Sequence, residues 1–376
     1  MYKMSHYNNQ NITLDTKYDD NKQCIVGTCS DMCPREEVTL RKKEKLVHVL
    51  EVTGSGYKLI KSYSRSAASA NMAVPRLLRP YPVLFDTIHY LLLKVSNRSD
   101  VPMSVLYDFL NDRLRAVRQD MTIQRLPPEE CIVLLEPMIR FYVYFGYRLC
   151  EHPLSEYDPV LNKKYLLECL KWYLSSCDLI ERSKVGVTDV DEIIDNLSSL
   201  NVNRGKDGTL SCDRILVESL YILCNLDDIH PLYRYLNLPK SIKRVSILKL
   251  TYNIALAHQH GNYIRMLQLS TRLCPLTFSV LCLYLPSLQK RALQSLSTAF
   301  NSKHLTVPVR VVQKWLAFNS EEEVRSACKY YGLEATDGVF FNKSNFKLHE
   351  NMLPPKKYYK AKILSLKLED MLSYTI

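Results

Sequence analysis

Three cysteines near the N-terminus, Cys24, Cys29 and Cys33, have a spacing close to that of a metal site. A structural zinc ion takes four nitrogen or sulfur ligands, and its cysteines usually come in pairs with roughly two to four residues between them. Here four and three residues separate the cysteines, and the next candidate ligand is His48. The spacing favours a packed, thiol-lined knot over a zinc site, so we predict no metal and no cofactor.

The segment near the C-terminus combines basic and aromatic residues, which are the residue types that bind nucleic acids. Seven lysines and three acidic residues lie between positions 342 and 376, a local net charge of +4. Lysines neutralise phosphates and aromatic rings stack on bases, the two contacts that single-stranded RNA or DNA offers. A packing helix with a solvated edge explains the same pattern equally well. The candidate nucleic-acid-binding residues are Lys343, Lys347, Lys356, Lys357, Tyr358 and Lys360.

Motifs of the common enzyme classes are missing from the sequence. It has no P-loop, no dinucleotide-binding glycine fingerprint, no G-x-S-x-G and no H-E-x-x-H. Gly54-Ser55-Gly56 lacks a third glycine and a preceding strand signal, so we predict a hinge between helices there. His258 and His260 stand two positions apart, which puts them on different helix faces and makes them capping or surface histidines. We predict that the protein is not an enzyme.

The composition indicates that helices position these residues. The chain has 376 residues, a net charge of +11 and 47% hydrophobic residues, which is enough for a packed core. It has ten glycines, a shortage that disfavours folds with many tight turns. Twelve cysteines are spread through apolar segments, which is typical of a reducing compartment. With no secretory signal and no apolar stretch long enough to span a membrane, we expect a nuclear or cytoplasmic protein without a membrane partner.

Apolar residues recur at helical spacing from about residue 83 onward. The clearest stripe predicts that one helix face carries Leu106, Phe109, Leu110, Leu114 and Val117. Further helices are predicted at about 129–150, 161–181, 211–225, 241–259, 262–273 and 277–300, with residues 186–208 as a mobile loop. Short connections between helices are typical of antiparallel pairs. The predicted fold is therefore all-α, built as a stacked helical-repeat array.

The pattern changes at about residue 304. A short amphipathic helix is predicted at Val307 to Ala317, and a second begins at the capping residue Ser320 and ends at Gly332. A hairpin signal follows over residues 333–341. Two helices followed by a small β-ribbon are the order of a winged helix. A final basic helix is predicted beyond it, opening at Lys356.

Charged residues lie beside the apolar stripe of the helix that contains Leu106. We predict that several of them form internal ion pairs that clamp neighbouring helices. Because removing one partner of a buried pair is destabilising by about 3–5 kcal/mol, we expect Arg115→Ala and Arg118→Ala to reduce stability more than ligand binding. The charged residues on this face are Asp112, Arg113, Arg115, Arg118 and Asp120.

Several stretches, in order, closely resemble the signature of the SAC-three/GANP family. They are residues 27–34 (GTCSDMCP), 63–68 (YSRSAA), 78–80 (LRP) and 107–120 (YDFLNDRLRAVRQD), and the resemblance extends over about residues 25–340. The chain lacks the long extensions of the large export scaffolds of this family, so it resembles the short, single-domain branch. The matching signature residues, expected to be structural, are Cys29, Cys33, Pro34, Glu37, Arg65, Arg79, Asp112, Arg113, Arg115, Arg118 and Asp120.

The resemblance implies a helical-repeat domain of the PCI type that ends in a winged helix. On this basis we expect a tail at residues 1–23, the signature region at 24–125 and the PCI-like repeats at 126–303. The winged helix is expected at 304–350 and the basic C-terminal helix at 351–376. The resemblance also implies a PCI-domain protein as partner, together with a small acidic subunit of the proteasome-lid type.

Two functions remain open from the sequence. In the first, the chain is a non-enzymatic scaffold that acts in centrosome duplication, spindle assembly and mitotic progression, as the short branch of the family implies. In the second, it is a nucleic-acid-binding subunit of a transcription-coupled messenger-RNA export complex at the nuclear pore. The absence of extensions favours the first, and the basic C-terminus favours the second.

Overall fold

The computed structural model describes residues 25–65, 73–185, 213–302, 304–348, 351–356 and 367–373. This part of the chain is mostly helical, with short strands near each end, and an all-α class is confirmed at that level. The first five helices are α1 (Arg35–Lys43), α2 (Tyr81–Leu93), α3 (Met103–Gln124), α4 (Pro128–Arg148) and α5 (Pro159–Val185). The next seven are α6 (Arg214–Cys224), α7 (His230–Asn237), α8 (Lys240–Lys243), α9 (Ser246–Gln259), α10 (Tyr263–Ser270), α11 (Pro275–Cys282) and α12 (Leu285–Ala299).

The Gly54-Ser55-Gly56 segment is a hairpin turn, so the predicted hinge between helices is wrong. Strand β1 (Val52–Thr53) pairs antiparallel with β2 (Gly56–Tyr57). Gly56 has φ of +127°, a backbone conformation that a residue with a Cβ rarely adopts. The glycines therefore allow the chain to reverse its direction in a tight turn.

The apolar stripe of α3 is confirmed. All five predicted residues are buried, and they join one continuous core that runs from the N-terminal region to the C-terminal helix. Helix α4 is buried on every side from Leu134 to Tyr147, and the two charged residues in this range, Glu136 and Arg140, contact each other. It packs against α2, α3, α5 and α11 and so forms the centre of the fold.

Two of the predicted helices are each divided in two. Residues 241–259 form α8 and α9 because Val245 is extended, and residues 277–300 form α11 and α12 because Pro286 opens a new helix in its first turn. Helix α7 was not predicted. His258 is buried rather than exposed, and its Nε2 lies 3.0 Å from Oδ1 of Asp227. The predicted loop at 186–208 lies outside the described residues.

The region from residue 304 contains two short helices and a small sheet. Strand β3 (Thr306–Pro308) precedes α13 (Val309–Leu316) and α14 (Glu321–Tyr330), and β4 (Glu334–Ala335) and β5 (Gly338–Phe340) follow. The antiparallel sheet has the order β3-β5-β4. Ser320 Oγ accepts a hydrogen bond from the Glu323 N–H, and Gly332 ends the turn after α14 with φ of +81°. Both predicted capping residues are confirmed.

The last described helix is short and acidic in its first turn. Residues 351–356 are not helical, and α15 (Leu368–Ser373) begins well after the predicted start at Lys356. The predicted basic helix falls mainly on residues 357–366, which lie outside the described residues. Helix α15 packs its buried Leu368, Met371 and Leu372 against α2 and α4.

Candidate functional site

The carboxylate of Asp120 is the centre of a fully buried ionic cluster. It accepts hydrogen bonds from Lys61 Nζ at 2.6 Å and from Arg79 Nε at 2.7 Å, and none of the three side chains is more than 4% exposed. The amide of Gln124, one turn later on α3, donates to the Arg79 carbonyl at 2.8 Å and accepts from the Gly27 N–H at 2.8 Å. Helix α3 thereby holds the segments around residues 27, 61 and 79 together.

A second buried carboxylate, that of Glu51, joins α1 to α3. It forms ion pairs with the guanidinium groups of Arg41 and Arg113 and accepts a hydrogen bond from the backbone N–H of Ile60. Burial opposes its charge, but the hydrogen bond from Arg41 and the charge of Arg113 outweigh this effect and lower the pKa of Glu51. The carboxylate is therefore ionised in the folded protein at neutral pH.

The outer side of α3 fixes an extended segment that follows β2. Asp112 accepts from the Tyr63 N–H at 3.1 Å, and the Arg115 guanidinium stacks over the Tyr63 ring at 3.8 Å. Arg115 therefore makes cation–π contacts here, where an ion pair had been expected. Arg118 donates to Glu168 of α5 at 2.5 Å, and this link ties α3 to the repeat helices.

The remaining signature residues surround α1. Pro34 is buried and immediately precedes α1, and Glu37 accepts from the backbone and hydroxyl of Ser62. Arg65 is exposed at the end of a described segment. Most of the signature residues therefore connect elements of the fold, and most of their charged groups are paired with other residues of the chain.

Two of the three cysteines near the N-terminus, Cys29 and Cys33, are buried and do not suit nucleophilic chemistry. Burial raises the pKa of Cys29, and it raises the pKa of Cys33 to about 12, so both thiols stay protonated. Among the described residues there is no group of three His, Cys, Asp or Glu side chains that can hold a metal ion. Cys24 lies outside them.

Three of the six candidate nucleic-acid-binding residues can be located. Lys343 and Lys347 are exposed on the loop after β5, and Lys356 is 53% exposed with its Nζ 3.8 Å from a Glu323 carboxylate oxygen. The backbone of Lys347 donates to the Tyr331 carbonyl at 2.8 Å, which fixes this loop against α14. Lys357, Tyr358 and Lys360 lie outside the described residues.

Sequence reasoning missed several buried charges. Glu51 and Lys61 belong to the two buried ionic clusters, yet each is flanked on both sides by uncharged residues in the sequence. Arg234 of α7 binds both Asp178 of α5 and Glu218 of α6, with distances of 2.7–2.9 Å. The sequence signal that could have identified these buried charges was a charged residue flanked by uncharged residues. Such a residue must find a partner elsewhere in the fold because burial of an unpaired charge is costly.

The fold is that of a mostly helical protein whose elements are linked by buried ion pairs. A model of the SAC3/GANP family matches residues 32–337, which is most of the chain. The chain belongs to the SAC3/GANP family. This family consists in general of non-catalytic scaffolds. Across the described residues, no helix is long and apolar enough to cross a membrane.

Three relatives from different organisms are similar to this chain over most of its length. SAC3 family protein B of Arabidopsis thaliana is 26% identical over 93% of this chain and 20% of its own length. SAC3 family protein 1 of Schizosaccharomyces pombe is 26% identical over 85% of this chain and 31% of its own length. Protein xmas of Drosophila melanogaster is 26% identical over 83% of this chain and 15% of its own length. The chain therefore spans less than a third of the length of these relatives.

Proposed function

We propose that the chain is a non-enzymatic scaffold that pairs with a PCI-domain partner through residues 304–348, and that it acts in centrosome duplication and spindle assembly. A small acidic subunit of the proteasome-lid type is the second partner in this proposal. The observation that carries it is the C-terminal unit: the order strand, helix, helix, strand, strand and the sheet order β3-β5-β4 fit a winged helix. Winged helices of this kind pair with one another in the family that the sequence resembles.

Charge on α14 favours protein pairing over binding to duplex DNA. In helix-turn-helix proteins the N-terminal residues of the second helix approach the bases and phosphates. In this chain the first turn of that helix carries Glu321, Glu322 and Glu323, which repel phosphate. The exposed side chains Arg310 and Lys314 on α13 complement an acidic protein surface.

Cross-linking of the purified complex tests the pairing. The tagged full chain is isolated from dividing cells, treated with a lysine-reactive cross-linker and analysed by mass spectrometry. We expect a PCI-domain protein cross-linked to Lys314, Lys329 or Lys343. If the PCI-domain partner is cross-linked only to lysines of α5, such as Lys164 and Lys171, pairing through the C-terminal unit is contradicted.

The cellular role is tested separately by depletion and imaging. A centrosome and spindle function predicts abnormal centrosome numbers and spindles after depletion, with normal distribution of polyadenylated RNA. Retention of this RNA in the nucleus, with normal spindles, would instead support the export function.

A second candidate function is binding of single-stranded nucleic acid by the C-terminal lysines. The observation that favours it is that Lys343, Lys347 and Lys356 are all exposed in the C-terminal part of the chain. Fluorescence anisotropy with a mixed-sequence single-stranded RNA across a salt series measures it. Changing all three lysines to Glu should reduce the slope of log affinity against log salt by about 2, at about 0.7 per phosphate contact.

A matched variant controls for net charge. Lys94, which directly follows α2, and Lys164 and Lys171 of α5 are exposed, and changing them to Glu alters the total charge by the same amount. The control should retain the salt dependence of the original chain. Equal losses in the two variants would indicate a general charge effect and would contradict a site at the C-terminus.

A further inference from the structure

Helix α7 has an exposed apolar face. Its inner side is packed: Leu232 and Tyr235 are buried, and the Tyr235 ring stacks on Tyr252 of α9 at 4.1 Å. Its outer side carries Ile229, Tyr233 and Leu236, which are 68%, 66% and 56% exposed. The outer side is therefore left open by the described part of the chain.

The three exposed residues form one stripe. Positions 229, 233 and 236 are separated by four and three residues, which places them on the same face of a helix. Ile229 has helical backbone angles (φ −82°, ψ −21°), so the spacing holds from the start of the stripe. A contiguous row of large apolar side chains in water marks a surface that another molecule covers.

The charges at the two ends of the stripe are opposite in sign. Asp228 precedes α7, and Lys240 and Arg244 follow it, and all three are exposed. A second copy of α7 placed antiparallel brings Asp228 of each copy beside Lys240 of the other. Tyr233 is the middle residue of the stripe and lies between these opposite charges along the chain, so an antiparallel pair of helices matches apolar side chains with apolar ones and an acidic end with a basic end. Such self-complementarity is the requirement of a twofold interface.

We propose that α7 is the surface through which two copies of this chain associate, with their α7 helices antiparallel and Tyr233 near the twofold axis. An eight-residue helix is only about 12 Å long. The interface is therefore smaller than that of a permanent dimer, and the association is weak and reversible. This inference does not depend on the proposed pairing through residues 304–348.

Sedimentation equilibrium of the full chain over a range of concentrations up to about 1 mM tests the proposal. The unchanged chain should show a monomer–dimer equilibrium. Tyr233→Glu should raise the dimer dissociation constant about tenfold or more, because a central Tyr is typically among the residues that dominate an interface. Leu154→Glu is the matched control: Leu154 is 77% exposed in the connection between α4 and α5, and its change should leave the equilibrium unaltered.

Charge reversal tests the antiparallel arrangement. Asp228→Lys and Lys240→Asp should each weaken self-association, since each brings like charges together twice in a dimer. The doubly reversed chain should associate as the original does, and the two single variants should associate when mixed. Circular dichroism and a thermal melt verify that each variant is folded.

Three outcomes would overturn the proposal. The first is a chain that stays monomeric at about 1 mM, in which case the stripe serves a different molecule. The second is a dimer that Tyr233→Glu does not weaken. The third is a single charge reversal that leaves the dimer as strong as that of the original chain.

Discussion

The signature region and the C-terminal unit both carry many charges, but they use them differently. In the signature region, the Arg79 and Asp120 side chains are fully buried and bonded to each other. In the C-terminal unit, Arg325 pairs with Glu321 and Glu322 on an exposed helix face. Buried ion pairs are strongly destabilising to break, whereas exposed ones contribute little. The comparison indicates that the first set of charges holds the fold together and the second remains accessible to partners.

The largest effect is expected at Asp120. Asp120→Ala leaves Lys61 and Arg79 buried without their carboxylate, which should lower the free energy of unfolding by about 3–5 kcal/mol. Arg325→Ala in the C-terminal unit should lower it by about 0–1 kcal/mol. Urea unfolding followed by circular dichroism measures both. Similar losses of unfolding free energy in the two variants would show that charges in the two regions contribute equally to stability.

The C-terminal helix tests whether the end of the chain belongs to the core. Met371 is 2% exposed in α15, and its carbonyl accepts from Arg140 Nη1 of α4 at 2.9 Å. Met371→Ala should reduce stability by about 2 kcal/mol, because it leaves a cavity beside a buried ion pair. Met352→Ala, at an exposed position, is the control and should have no effect. A melting temperature unchanged by Met371→Ala would show that α15 contributes nothing to the core.

The buried contact between Glu136 and Arg140 beside α15 makes stability depend on pH. Burial raises the pKa of Glu136 from 4.5 to about 7, although Arg140 acts in the opposite direction. Between about pH 4.5 and 7, Glu136 is therefore protonated in the folded chain and ionised in the unfolded chain. Stability from this group is fully present below about pH 4.5 and declines as pH rises towards 7, by about 1.4 kcal/mol per unit of pKa displacement.

Glu136→Gln tests this pH dependence. The amide cannot ionise, so the difference in unfolding free energy between the variant and the original chain should change between pH 5 and pH 7, in favour of the variant at the higher pH. A difference that is constant across this interval would mean that Glu136 has the same protonation state in the folded and unfolded chain. Denaturant titrations at fixed ionic strength provide the measurement.

The outer side of α3 should give intermediate effects. Arg118→Ala breaks the link to Glu168, whose side chain is 41% exposed, and should cost about 1–3 kcal/mol. Arg115→Ala removes cation–π contacts with Tyr63 and Tyr165, and should cost about 0.5–1 kcal/mol. Thermal melts rank the two. A larger loss for Arg115→Ala would indicate that stacking, more than the ion pair, fixes the extended segment.

The smallest effect is expected for the C-terminal lysines. Changing Lys343, Lys347 and Lys356 to Glu should alter the unfolding free energy by no more than about 0.5 kcal/mol, because these side chains are exposed. The same urea titration measures it. A clear loss of stability would assign these lysines to the architecture and weaken the case for a binding surface.

Local patterns in the sequence predicted the local structure well. The stripe on α3 and the caps Ser320 and Gly332 depend on residues within a few positions of each other, so spacing alone determines them. Spacing did not separate α8 from α9, because a single extended residue divides an otherwise helical pattern. Helix α7 was missed because its outer side is apolar where a surface helix is normally polar.

By itself, the sequence determined the mostly helical class and the family. Only the tertiary structure decided which charges meet. Lys61 and Asp120 are separated by 59 positions and Arg79 and Asp120 by 41, and no local period in the sequence records such pairs. A buried charge is stable only beside its partner, so these contacts exist only when the whole chain is folded.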